Sequence, residues 1–171
     1  HNIFTPGNYY YNGVGHVTVN YGKVLEIGFD GIKAEAVRAL SKLSVTDADY
    51  SRRHHFLNAV IISCEAAIVF ANRYSALAKE MAEKESDPVR KAELIKISEN
   101  CARVPKGPAT SFHEACQSFW FVQMLLQTES SGHSISPGRF DQYMYPYYKK
   151  DMEAGKITRE EAQELIDCIW I

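Results

Sequence analysis

The sequence predicts a mainly α chain of five or six helices with at most one short strand. Three observations carry that reading. Apolar residues recur every three or four positions through most of the chain, as they do when a helix turns one face inward. Helix-start signals stand at Ser86-Asp87-Pro88, Ser111-Phe112-His113-Glu114 and Thr158-Arg159-Glu160-Glu161. Strand-like alternation is confined to Val14–Asn20, where Val14, His16, Thr18 and Asn20 interleave with Gly15, Val17 and Val19.

In chain order, the first twenty positions are rich in Gly, Asn and Tyr and read as a loop entering that extended segment. Val24, Ile27, Gly28, Ile32, Ala36, Ala39 and Leu40 then form one stripe, predicting a helix from about Tyr21 that stops before the polar Ser44–Asp49 stretch. Leu57, Val60, Ile61, Cys64, Ile68, Ala71, Tyr74 and Ala78 predict a second helix from about Tyr50 to Lys84. Asp87 can cap a third, with Pro88 at the first helical position, where its missing N–H is no loss; it runs to Arg103, before the Pro105-Lys106-Gly107-Pro108 break. Ser111 and Glu114 form a capping box for a fourth helix that is apolar nearly all round through Phe119, Trp120, Phe121, Met124, Leu125 and Leu126, ends at Gly132 and needs cover on more than one side. Ser134–Tyr148 reads as an aromatic, Pro-containing connection with a short helix in its middle. A second capping box, Thr158 with Glu161, opens a last helix with Ala162, Leu165, Ile166 and Ile169 on one face, still running at Ile171.

Composition narrows the function classes. With 171 residues, 46% apolar, 23% charged and 12% aromatic, the chain has the make-up of a soluble globular protein and, by length, of one domain without an internal boundary. The 19 Lys+Arg against 21 Asp+Glu give a net charge of -2, too little field to gather nucleic acid or anionic lipid. No apolar run approaches the ~18 residues that span a bilayer, and no secretion signal opens the chain. Cys64, Cys101, Cys116 and Cys168 lie far apart among helical patterns, as reduced thiols in a cytoplasmic protein do, whereas a disulfide framework would be denser in Cys.

Three places hold polar groups that could do chemistry. In Gly13-Val14-Gly15-His16-Val17, two glycines permit close backbone approach and His16 could give or take a proton; spacing alone favours a hydrogen-bonded structural histidine. In Ser131-Gly132-His133-Ser134-Ile135-Ser136-Pro137-Gly138-Arg139, an imidazole and a hydroxyl follow a helix end and could bind a hydroxylated substrate, or Ser134 could cap the next segment. In Arg139–Tyr148, Arg139 and Asp141 could pair, and the tyrosines could line a pocket or pack between elements. Arg52-Arg53-His54-His55 reads as a solvated helix face without metal-ligand spacing, and no metal site is expected.

Several long motifs in one order carry a resemblance: Phe4-Thr5 with Gly7–His16, Cys64-Glu65-Ala66-Ala67, Glu114–Gln117 with Phe119-Trp120-Phe121, Gly132–Pro137 with Arg139–Tyr148, and Leu165–Trp170. The chain resembles glycyl radical enzymes of the pyruvate formate-lyase superfamily, and most the B12-independent glycerol and propanediol dehydratases. The resemblance implies that the chain is part of a larger ten-stranded α/β barrel. It implies a glycyl radical that an S-adenosylmethionine iron–sulfur activating enzyme installs, with no cofactor bound in this chain. It also implies a small-molecule substrate, an oxygen-sensitive anaerobic setting and, for the whole enzyme, a homodimer. It assigns His16 to protonating the departing hydroxyl of a vicinal diol, and His133 and Ser134 to hydrogen-bonding the substrate hydroxyls.

The chain departs from the family pattern where the radical chemistry belongs. None of its cysteines has a glutamate two positions on, and no glycine stands in an Arg-Val-x-Gly-Tyr-like setting. With no initiating methionine and an unterminated last helix, it is expected to be a fragment of the catalytic domain, holding one wall of the site and inactive alone. Alternatives are a related lyase such as choline trimethylamine-lyase or isethionate sulfite-lyase, a formate C-acetyltransferase, or a helical interaction module that never was catalytic.

Overall fold

The computed structural model describes residues 15–130, 132 and 134–170. The first motif as far as position 14, with Tyr9–Tyr11, lies outside the described residues, as does His133. The order is β1 (Val17–Thr18), α1 (Tyr21–Leu40), α2 (Tyr50–Lys84), α3 (Pro88–Arg103), α4 (Phe112–Glu129), β2 (Ile135–Ser136), α5 (Phe140–Glu153) and α6 (Arg159–Trp170). The helical architecture follows the sequence expectation, but Ile135–Ser136 adds a second short strand, paired in parallel with the first. At two residues it is too short for alternation to announce it.

Helix α4 is the hub. It touches α1, α2, α3, α5, α6 and β2, and buries Phe112, Ala115, Cys116, Phe119, Phe121 and Val122 on several faces at once. That is the cover its all-round apolar sequence demands. Its start is capped from two sides. The Ser111 hydroxyl accepts from the Glu114 N–H at 3.1 Å, and the buried Asp151 carboxylate, at the end of α5, accepts from the Phe112 N–H at 2.7 Å. The reciprocal half of the expected capping box is displaced: Glu114 accepts from the N–H and hydroxyl of Thr110 and pairs with Arg103 at 3.1 Å. By contrast, Asp87 caps α3 through the Val89 N–H as expected, and Thr158 and Glu161 cap each other reciprocally at α6.

Helix α1 carries the largest surprise. Gly28, expected as a member of one continuous stripe, breaks the helix with φ 64° and ψ 176°. The polar backbone groups freed by the break are taken by the loop after α3: the Phe29 and Asp30 N–H groups donate to the Pro105 and Lys106 carbonyls at 2.8 and 2.9 Å, and the Ala109 N–H donates to the Leu25 carbonyl at 2.9 Å. A Cβ at position 28 would stand 2.3 Å from the Lys106 oxygen, so the joint admits only glycine.

Two further expectations change. Phe140–Glu153 is one helix with Pro146 inside it, where a short helix within a connection was expected. A proline costs about 3 kcal/mol in a helix interior, and here Phe140, Tyr143, Met144, Tyr147 and Tyr148 pack on the core and hold the helix through it. Helix α2 averages a mean hydropathy of 1.5 over an 18-residue window, long and apolar enough by composition to cross a membrane. That corrects the reading from uninterrupted runs, which Asn58, Ser63 and Glu65 break without lowering the average enough. The helix packs on α1 and α3 through a stripe of small residues, Cys64, Ala67, Ala71, Ala78 and Ala82, and leaves Phe56, Ile62, Val69, Leu77 and Met81 exposed. Tyr74, expected on its inner face, is exposed as well. All four cysteines are free thiols; Cys64, Cys101 and Cys116 are buried and Cys168 is exposed.

Candidate functional site

The strand pair brings two of the three sequence-predicted residues together. Val17 pairs with Ile135 and Thr18 with Ser136, so His16 and Ser134 occupy equivalent positions immediately before the two strands. Both have left-handed backbone, His16 at φ 56° and Ser134 at φ 54°, and they are the only non-glycine residues so placed among the described residues. Such a conformation costs about 1–2 kcal/mol for an ordinary residue and persists only where the surroundings impose it. His16, Val17, Thr18, Ser134, Ile135 and Ser136 line an open pocket of about 350 Å³. That volume lies at the small end of ligand sites, and the pocket offers an imidazole and three hydroxyls.

Behind the strands a set of buried and half-buried groups holds this arrangement. The Gln123 side-chain amide, reaching from α4, donates to the Ile135 carbonyl at 3.1 Å, and the Tyr21 hydroxyl donates to the other end of the same amide. Beyond β2, the Tyr143 hydroxyl donates to the Pro137 carbonyl at 2.8 Å. Tyr21 sits between Phe119 and Tyr143, with ring centroids 4.6 and 5.7 Å away. Burial pushes the Tyr21 phenol up to about 12 and raises that of Tyr143 still further, with Tyr21 itself adding to the latter, so both remain donors at neutral pH. Gly138, at φ 67°, lets the chain pass against β1: a Cβ there would lie 2.5 Å from Thr18 Cγ2.

Sequence reasoning missed Gln123 and Tyr21, whereas Gly138 stood in the motif as a brace of the Ser134 loop. One signal was available for Gln123, a polar residue inside a helix that is otherwise apolar nearly all round. The Arg139–Tyr148 run resolves toward packing: Tyr143, Tyr147 and Tyr148 lie against the core, while Arg139 and Asp141 do not pair with each other, because residues two apart at a helix start point in different directions. Arg52, Arg53 and His55 are exposed, as a solvated face requires.

A second cavity, of about 1010 Å³, opens between α3, α4 and α6, with Arg103, His113, Glu114, Cys116, Trp120 and Asp151 on its walls. Neither His16 nor Ser134 borders it. Burial raises the Cys101 and Cys116 thiols to about 11 and about 12, leaving them protonated and poor nucleophiles. No group of three His, Cys, Asp or Glu side chains is placed to hold a metal ion among the described residues.

A family model described as pyruvate formate lyase-like matches residues 1–171. The chain belongs to that family. Among relatives of this pyruvate formate lyase-like chain, isethionate sulfite-lyase of Desulfovibrio desulfuricans is 52% identical over 154 residues, 89% of this chain and 18% of that protein. (2S)-3-sulfopropanediol dehydratase of Klebsiella oxytoca is 41% identical over 169 residues, 99% of this chain and 20% of that protein. A solved structure describing 1,2-propanediol dehydration in Roseburia inulinivorans superposes with a TM-score of 0.92 at 61% identity, covering 97% of this chain and 21% of that one. The glycerol-bound B12-independent glycerol dehydratase of Clostridium butyricum gives 0.89 at 58% identity, covering 96% and 20%. The chain thus spans about a fifth of the length of the relatives it matches.

Proposed function

We propose that this chain is one section of the catalytic domain of a glycyl radical dehydratase that eliminates water from a small vicinal diol, glycerol or 1,2-propanediol. The observation that carries this reading is the pairing of His16 with Ser134. Two of the three residues that the motifs single out are the two non-glycine residues held in left-handed backbone among the described residues, and both line one small pocket. Strain kept at adjacent polar residues is the signature of a site whose side chains must stay where they are. The higher identity to the propanediol and glycerol dehydratase structures, 61% and 58% against 52% for the sulfite-lyase, favours a diol over a sulfonate. The isolated parallel pair supports the barrel expectation, since parallel strands belong to larger sheets covered on both faces.

The radical group that the family requires, installed by the activating enzyme, supplies hydrogen abstraction from the carbon bearing one hydroxyl; its Cys-x-Glu and glycine motifs are not in these 171 residues. This chain's residues bind the substrate and protonate the leaving group. Ser134 and His133 hold the substrate hydroxyls by hydrogen bonds and fix which carbon faces the reacting side. His16 gives a proton to the departing hydroxyl, which leaves as water. The other hydroxyl gives up its proton as it becomes the aldehyde carbonyl, and the hydrogen atom first taken would be returned to the carbon that lost its hydroxyl, so that the diol becomes aldehyde plus water. The reaction is oxygen-sensitive and belongs to an anaerobic cytoplasm.

The test is the full-length polypeptide, activated anaerobically and offered glycerol, 1,2-propanediol and isethionate. Aldehyde from the diols is expected, with kcat lowered about 10²–10⁴-fold in His16→Asn. Sulfite from isethionate with no aldehyde from either diol overturns the reading, as does diol turnover by the 171-residue chain alone.

A further inference from the structure

The pocket residues do not hold themselves in place. Each strand has only two residues, a pair too short to be stable without support, and the two residues whose positions matter both sit in costly backbone. Part of the support comes from one side-chain amide. Gln123 Nε2 donates to the carbonyl of Ile135, the residue after Ser134 and the register partner of the residue after His16. A glutamine can turn either end of its amide outward, and here the choice is fixed from behind. The Tyr21 hydroxyl donates to Oε1, leaving Nε2 to face the strand. Tyr21 is in turn buried, 1% exposed and packed against Phe119 and Tyr143.

We propose that Gln123 is a positioning residue, with Tyr21 as its orienter: together they pin the Ile135 carbonyl and so set the spacing of His16 and Ser134 across the pocket. The residue type is decisive. A glutamate keeps the bond from Tyr21 but turns a carboxylate oxygen toward the Ile135 carbonyl, acceptor against acceptor. A leucine loses both bonds and keeps the bulk. Tyr21→Phe keeps the strap and loses only what orients it.

This inference rests on the proposed activity, and the experiment separates the two. In the full-length enzyme, Gln123→Glu, Gln123→Leu and Tyr21→Phe are assayed with 1,2-propanediol after anaerobic activation. Rates are normalised to glycyl radical content by electron paramagnetic resonance, and thermal midpoints are taken in parallel. The expected result is a kcat about 10–100-fold lower in Gln123→Glu and Gln123→Leu, the scale on which a displacement of about 1 Å acts. Tyr21→Phe is expected to lose less, about threefold to tenfold, with KM moving less than kcat in all three and radical content and midpoint unchanged in Tyr21→Phe. Rates per radical within twofold of the parent in all three variants overturn the proposal. So does a loss in Tyr21→Phe that follows its thermal midpoint, which marks a structural role only. A parent enzyme that carries the radical but turns over no diol instead overturns the activity reading.

Discussion

The joint at Gly28 and the strand pair at His16 and Ser134 solve the same backbone problem in opposite ways. Each puts a residue at positive φ: 64° at Gly28, 56° at His16 and 54° at Ser134. At Gly28 only packing is at stake, so the chain uses glycine, lets the 105–109 loop come within bonding distance and carries no strain there. At the strands the chain keeps an imidazole and a hydroxyl in a conformation that glycine would hold more cheaply. That contrast supports the proposed site, since strain persists where the surroundings impose it and clusters where a side chain itself is needed.

The contrast breaks first at the joint. Gly28→Ala drives a Cβ into backbone 2.3 Å away and forces a side chain onto a φ it avoids, with no flexible neighbour to yield. A loss above about 4 kcal/mol is expected, the range reserved for backbone strain combined with overpacking, read by chemical denaturation beside the parent. A loss under about 1 kcal/mol would mean that the loop moves aside and the joint is soft. Next comes Gly138→Ala, whose Cβ meets a single methyl, Thr18 Cγ2 at 2.5 Å. About 2 kcal/mol is expected from the clash and the positive φ together. Adding Thr18→Ser removes the methyl and should recover the clash but not the backbone part. Full recovery would show that φ carries no cost there, and the strain argument for the neighbouring strands would weaken with it.

Ser134→Gly sharpens the comparison from the other side. Glycine relieves the left-handed strain but adds freedom to the unfolded chain, so stability should change by no more than about 1 kcal/mol in either direction. Turnover of the full-length enzyme should nevertheless fall with the lost hydroxyl. A large destabilisation would mark Ser134 as structural.

The helices were legible because each carries its own evidence. The stripe of α6, the Asp87 cap and the Thr158–Glu161 box are local, and local chemistry is what a sequence displays. The break at Gly28 was not legible, because the residue sits at the right spacing for the stripe and its reason lies in the loop after α3. Likewise Pro105-Lys106-Gly107-Pro108 read as a mere interruption, although its carbonyls complete α1. At the site, His16 and Ser134 stood out by motif, but their adjacency depends on a parallel pairing across four helices, which no local pattern encodes. Gln123 was hidden for the same reason: its partner carbonyl is on another element.

The smallest expected effect separates the helical side from the strands by pH. His113, in the first turn of α4, has its pKa pulled below the usual 6.5, first by burial and then by the nearby Lys96 charge, with Glu114 opposing. A histidine depressed in the folded state binds its proton more readily when unfolded. Stability on this account is therefore full above pH 6.5 and declines as pH falls through the ordinary imidazole range toward the lower folded value. His113→Gln should flatten that part of the profile, measured as denaturation midpoints from pH 8 to pH 5 on a scale of about one pH unit per step. Lys96→Met should make the decline smaller and end it at a higher pH without abolishing it, because burial is the larger cause. If His113→Gln leaves the slope unchanged, the acid sensitivity belongs to other groups, and the helical side offers no titration that distinguishes it from the strands.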